Sequence, residues 1–236
     1  MYSKLIPSIF IVFTLLSFTF GGEPLQSWIS EVQTSQYLSI GRSKIDMNSM
    51  NKTVNSLGIP SLTEMPYTVE IGSRVLVQQL VLESGVGVLM WKPQKSDSSS
   101  VSLFGGYGLL TAGVNFFYPG KSWQLYPFFN IGGMLFRFAY HTQENVLFGE
   151  TIGEGDKPEV YWQPAFITGF GSTVMYSLHS KKRQKLYTVG LKVGYMADPS
   201  GQNTWYANGM RYKNGPSPHF SGPYVHLLLG TGRYIK

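Results

Sequence analysis

Between Arg74 and Trp91 the chain reads RVLVQQLVLESGVGVLMW, and its large apolar side chains fall on odd positions before Gln78 and on even positions after Gln79. Side chains alternate faces along a strand, so Tyr67, Val69, Ile71, Val75 and Val77 share one face, and Leu80, Leu82, Val86, Val88 and Met90 continue it on the next strand. A two-residue turn at Gln78 and Gln79 produces that change of parity. A helix here would need apolar residues at i, i+3 and i+4 and would have to carry Gly85 and Gly87, so the alternation predicts a β-hairpin.

The same alternation recurs to the end of the chain. Strands are expected over Gln36 to Met47, Tyr67 to Val77, Leu80 to Trp91, Val101 to Tyr118, Trp123 to His141, Val160 to Leu178, Leu186 to Asp198 and Pro223 to Lys236. Their connections alternate between short turns and long polar loops, the longest downstream one running from Pro199 to Gly222. An even number of strands with one family of turns and one of loops is the plan of an all-β, up-and-down antiparallel transmembrane β-barrel of about eight strands.

The two faces decide between lipid and water. One carries Val69, Ile71, Leu82, Val86, Tyr126, Phe128, Met134, Phe136, Phe138, Phe166 and Leu191; the other carries Glu70, Arg74, Glu83, Arg137 and Lys192 with many glycines. The interior of an eight-stranded barrel is only wide enough for side chains, and so many aromatics would overfill it. The apolar face is therefore expected to meet lipid, and Glu70, Arg74, Glu83, Arg137 and Lys192 to form an interior polar network with a cation near each carboxylate. Inward glycines would make room for the Arg and Lys side chains. Trp91, Tyr118, Trp123, Tyr126, Tyr140, Trp162 and Tyr176 stand near strand ends, where aromatic girdles form.

Composition narrows the reading further. Charged residues make up only 14% of the chain and aromatics 15%, while mean hydropathy is near zero. The stretch MYSKLIPSIFIVFTLLSFTFGG has a basic start at Lys4, a short apolar run and small residues at its end, which predicts a cleaved signal peptide over 1–22. A short periplasmic segment over 23–35 and the barrel over 36–236 follow. The absence of cysteine excludes a disulfide framework and a lipidated cysteine. The formal charge of +6 is concentrated in the run KKRQK, with no spread of basic and aromatic residues to suggest nucleic acid.

In LVLESGVGVLMW, YPFFNIGGMLFRFAY, LKVGYMAD and GPYVHLLLGTGRYIK the chain resembles the small outer-membrane β-barrel proteins of Gram-negative bacteria, the OmpA/OmpX-like group. The resemblance runs from Gln36 to Lys236 and implies outer-membrane localisation, with outer-membrane lipid, lipopolysaccharide and the barrel-assembly machinery as partners. It implies the barrel alone, without a peptidoglycan-binding domain. The ending RYIK departs from the terminal aromatic residue common in such barrels and leaves Tyr234 nearest to that role.

Chemistry is sparse in this sequence. His141, His179, His219 and His226 show no metal-binding spacing, and no nucleophile elbow or phosphate-binding glycine loop occurs, so no catalytic residue, metal or cofactor is expected. A lipid A-modifying acyltransferase or deacylase is the rival reading, with Asp198, Ser217 and His219 on the correct side of the membrane; a narrow solute channel is a third. The remaining expectation is a non-enzymatic barrel with a filled polar lumen and a structural or adhesive role. In the loop from Pro199 to Gly222, Trp205, Tyr206, Arg211, Tyr212 and Phe220 are the candidate contacts for an extracellular ligand, because aromatic and Arg side chains anchor binding surfaces.

Overall fold

The structure, a computed structural model, describes residues 32–97, 99–117, 122–142, 159–180, 185–201 and 203–235. The expected signal peptide and Tyr118 lie outside the described residues. Eight long strands carry the fold: β1 (Val32–Ser43), β2 (Tyr67–Val77), β3 (Leu80–Met90), β5 (Ser99–Val114), β6 (Trp123–Thr142), β7 (Glu159–Ser180), β8 (Lys185–Ala197) and β11 (Gly222–Ile235). Each pairs antiparallel with its neighbour, and β1 pairs with both β2 and β11, so the sheet closes on itself. Closure leaves no edge among these strands with unpaired backbone groups, the condition for a sheet to sit in lipid.

The turn at Gln78 and Gln79 joins β2 to β3 in the register Val77↔Leu80, with Gln78 at φ 54°. A two-residue hairpin needs such a left-handed residue to match the twist of its strands. At its start the barrel differs from expectation: β1 begins at Val32, ahead of Gln36. Gln33 and Ser35 are buried and face the lumen, so a strand with polar inward side chains reads in sequence like a loop.

Strands β6 and β7 run for 20 and 22 residues, about twice the 9–11 that a tilted crossing takes, and extend beyond the bilayer at the loop end. There the β1–β2 connection holds the helix α1 (Asn48–Ser56), whose Met50 and Val54 turn inward. The connection after β8 carries a small hairpin, β9 (Trp205–Ala207) and β10 (Met210–Tyr212), turned by Asn208 and Gly209 at φ 49° and 77°. This hairpin joins the rim of the barrel through the Trp162↔Tyr206 pairing with β7, and β4 (Gln94–Lys95) lies beside β5.

The outer wall is apolar. Ile71, Leu82, Val86, Phe166, Leu191 and Leu229 are all exposed on it, as is Phe170 at 64%. The sequence reading has the wrong phase for β6, however. Tyr126, Phe128, Met134 and Phe136 are buried in the lumen, Phe138 packs against the same core, and Phe129, Ile131 and Leu135 face outward in their place. Arg137 consequently leaves the interior and lies on the outer row, its guanidinium 5.9 Å from the centre of the Trp162 ring. The lumen accommodates the inward aromatics because glycines stand opposite them: a Cβ at Gly171 would lie 2.7 Å from the ring of Phe128. Of the expected girdle residues, Trp123, Trp162 and Tyr176 point outward, while Trp91 and Tyr126 are buried and Tyr140 packs against the core.

Candidate functional site

The lumen is built in layers. At the turn end the Gln124 amide donates to Gln33 Oε1 at 2.9 Å and to Ser177 Oγ at 3.5 Å, beside the buried Leu76 and Val81. Above it, β2, β3, β6 and β8 each contribute to a charged layer through inward positions set by the period of two. Glu83 Oε1 accepts from the Tyr126 hydroxyl at 2.5 Å, and its Oε2 pairs with Lys192 Nζ at 2.9 Å. Arg74 donates to Ser35 Oγ at 3.0 Å and to the Tyr126 hydroxyl at 3.4 Å, and also reaches Met175 Sδ.

Glu70 does not take a cation as its hydrogen-bonding partner. Its two oxygens accept from the hydroxyls of Tyr37 and Tyr107 at 2.8 Å and 2.9 Å. Each tyrosine stands directly across from a glycine, Tyr37 from Gly72 and Tyr107 from Gly87. A Cβ at Gly72 would lie 2.5 Å from the Tyr37 ring, and one at Gly87 2.3 Å from that of Tyr107. These glycines therefore make room for tyrosines and not, as their sequence suggested, for Arg and Lys. With Glu70, Glu83, Arg74 and Lys192 all buried, the charged layer holds two side chains of each sign.

Farther toward the loops Ser43 Oγ lies 3.0 Å from Thr68 Oγ1 and 3.3 Å from His226 Nε2. The mouth itself is apolar. Ile45, Met47, Met50, Val54, Ile59 and Leu62 from the β1–β2 connection pack with Trp91, Phe136, Trp205 and Phe220 in a continuous buried cluster. Trp91 Nε1 ties this cap to Thr63 O at 2.9 Å, and a pair of backbone hydrogen bonds links Asp46 to His219 across the two connections. Among the described residues the lumen is thus polar in its middle and filled by a buried apolar cluster at the loop end, where the sequence suggested polar filling throughout.

The five loop residues divide into two groups. Trp205 and Phe220 are buried at 4% and 1%, and the Trp205 indole donates to Pro216 O at 2.7 Å. Tyr206, Arg211 and Tyr212 are exposed, and the Tyr212 ring meets Tyr161 edge-on with centroids 5.6 Å apart. Two anchors thus hold three candidate contacts on a short, paired hairpin.

The residues of the enzyme reading have separate structural roles. Gln163 donates to Ser217 Oγ, His219 pairs through its backbone with Asp46, and Asp198 Oδ1 accepts from the Ser200 amide at 2.8 Å. Among the described residues no three His, Asp or Glu side chains gather as a metal ion would require.

A closed antiparallel sheet with an apolar outer wall and a charge-balanced interior defines a small outer-membrane β-barrel protein. No protein-family model matches the chain, and no curated protein does. Among solved structures it is similar to a major outer membrane protein from Thermus thermophilus, at 14% identity and a TM-score of 0.46, covering 86% of this chain and 99% of that one. It is also similar to Ail, the attachment invasion locus protein of Yersinia pestis, at 12% identity and a TM-score of 0.38, covering 87% and 98%. Neisserial surface protein A matches at 11% identity and a TM-score of 0.39, covering 86% and 96%.

Proposed function

We propose that this protein is a non-enzymatic, non-conducting barrel that holds a fixed contact surface at the loop end for an extracellular partner. One observation carries the reading. The exposed Tyr206, Arg211 and Tyr212 sit on a hairpin whose Trp205 and neighbouring Phe220 are buried in the cap, so the surface is presented on a framework already paid for by folding. Aromatic and Arg side chains on a preorganised element match the composition of binding hot spots.

Two further partners belong to the same reading. Arg42 lies 3.5 Å over the Tyr67 ring and Arg137 lies over Trp162, both on the loop side of the apolar band, at the depth where lipopolysaccharide carries phosphate. The barrel-assembly machinery would act on β11, the strand that closes the sheet.

The test is a binding screen of the refolded barrel on immobilised glycans and extracellular matrix proteins. It compares the parent with a Tyr206→Ala, Arg211→Gln, Tyr212→Ala variant whose folding is checked by heat-modifiable gel migration. Binding to at least one class and its loss by ten-fold or more in the variant, as expected for hot-spot side chains, supports the reading. Binding that is equal in parent and variant, or absent from both, contradicts it.

A further inference from the structure

At the turn end of the barrel the charges of the described residues are all of one sign. In the lumen, acidic and basic side chains are equal in number, Glu70 and Glu83 against Arg74 and Lys192. In sequence the connection from β7 to β8 carries the run KKRQK, which ends in Lys185, and β11 carries Arg233. Among the described residues at that end none is acidic.

Two of these cations are placed by the sheet register. Lys185 on β8 and Arg233 on β11 are direct cross-strand partners, both exposed, and both belong to the outward rows that carry Tyr187, Val189, Leu227 and Leu229. Like charges directly opposite one another destabilise a strand pair unless an anion stands between them. Their depth fits one kind of anion. The neighbouring pair toward the membrane is Tyr187↔Thr231, with Tyr187 and the adjacent Leu178 exposed at the lower edge of the apolar band. Lys185 lies two residues beyond, roughly 7 Å along the strand, which is headgroup depth. Short turns mark the periplasmic end of such barrels, so that headgroup belongs to the periplasmic leaflet.

We infer that Lys185 and Arg233 bind the phosphate of an anionic phospholipid of the periplasmic leaflet, whose acyl chains lie along Tyr187, Val189 and Leu229. A peptidoglycan fragment would also meet the charge, but it would not use the apolar wall that continues directly from the pair. This inference stands independently of the loop-side contact surface.

Native mass spectrometry of the full refolded barrel, with dioleoyl-phosphatidylglycerol or dioleoyl-phosphatidylcholine added to the detergent, tests it. The parent should retain phosphatidylglycerol in preference to phosphatidylcholine. A Lys185→Gln, Arg233→Gln variant should lose that preference by about thirty-fold, the effect of two cations near a charged surface. A charge-keeping Lys185→Arg, Arg233→Lys variant should retain it, as should a loop-side Lys92→Gln, Lys95→Gln control. Equal retention of the two lipids, an unchanged preference in the double Gln variant, an equal loss in the control, or displacement of the lipid by soluble muropeptides would each overturn the assignment.

Discussion

Glu83 and Glu70 are both buried carboxyl groups on facing strands, but they are held in different ways. Glu83 pairs with Lys192, whereas Glu70 accepts from two tyrosines. Glu83→Gln takes the counter-charge from a buried lysine, which costs on the order of 3–5 kcal/mol unless water enters. Glu70→Gln keeps an oxygen that accepts from one tyrosine and should cost less. Urea unfolding of the two variants in lipid vesicles should show this ranking; equal midpoints would mean that the Lys192 pair contributes little. Glu70, Arg74, Glu83 and Lys192 were legible in the sequence because each interrupts an otherwise lipid-compatible alternation. Tyr37, Tyr107 and Tyr126 were not, since an aromatic side chain suits a girdle equally well. What marks Tyr37 and Tyr107 as interior is the glycine opposite each, and that pairing appears only once the register is known.

At the scale of elements, the hairpin from β2 to β3 was legible because its outward face is largely apolar and Glu70, Arg74 and Glu83 mark the inward one. Strand β6 was not, because large apolar side chains line both of its faces. Arg137 invited an inward assignment, yet it sits where the strand leaves the lipid and can lie over Trp162. Gln124 and Asn130, both buried and in phase with Phe128, are the sequence signal that fixes the face. Helix α1 was read as part of a loop: NSMNKTVNS has only Met50 and Val54 to bury, and its helical form depends on the cap it joins. The absence of cysteine makes the phase of β6 directly testable. A fluorophore on Phe129→Cys should be quenched by brominated acyl chains and one on Phe128→Cys protected; the reverse pattern would restore the opposite phase.

For the whole molecule, closure and sealing act together. The ring of eight strands satisfies the backbone in lipid, the charged layer bridges β2, β3, β6 and β8 across the lumen, and the cap of α1 and the β9–β10 hairpin buries hydrocarbon over the mouth. The barrel plan could be read from the spacing of turns and loops. The cap could not, because its contacts join connections far apart in sequence, as Asp46 and His219 do. The proposed function requires such a molecule to offer surfaces at its two ends and no path between them. Single-channel recording of the unmodified, refolded protein in planar bilayers tests that claim most directly: the sealed lumen predicts no steady conductance, and a large, steady conductance from the parent protein would contradict it.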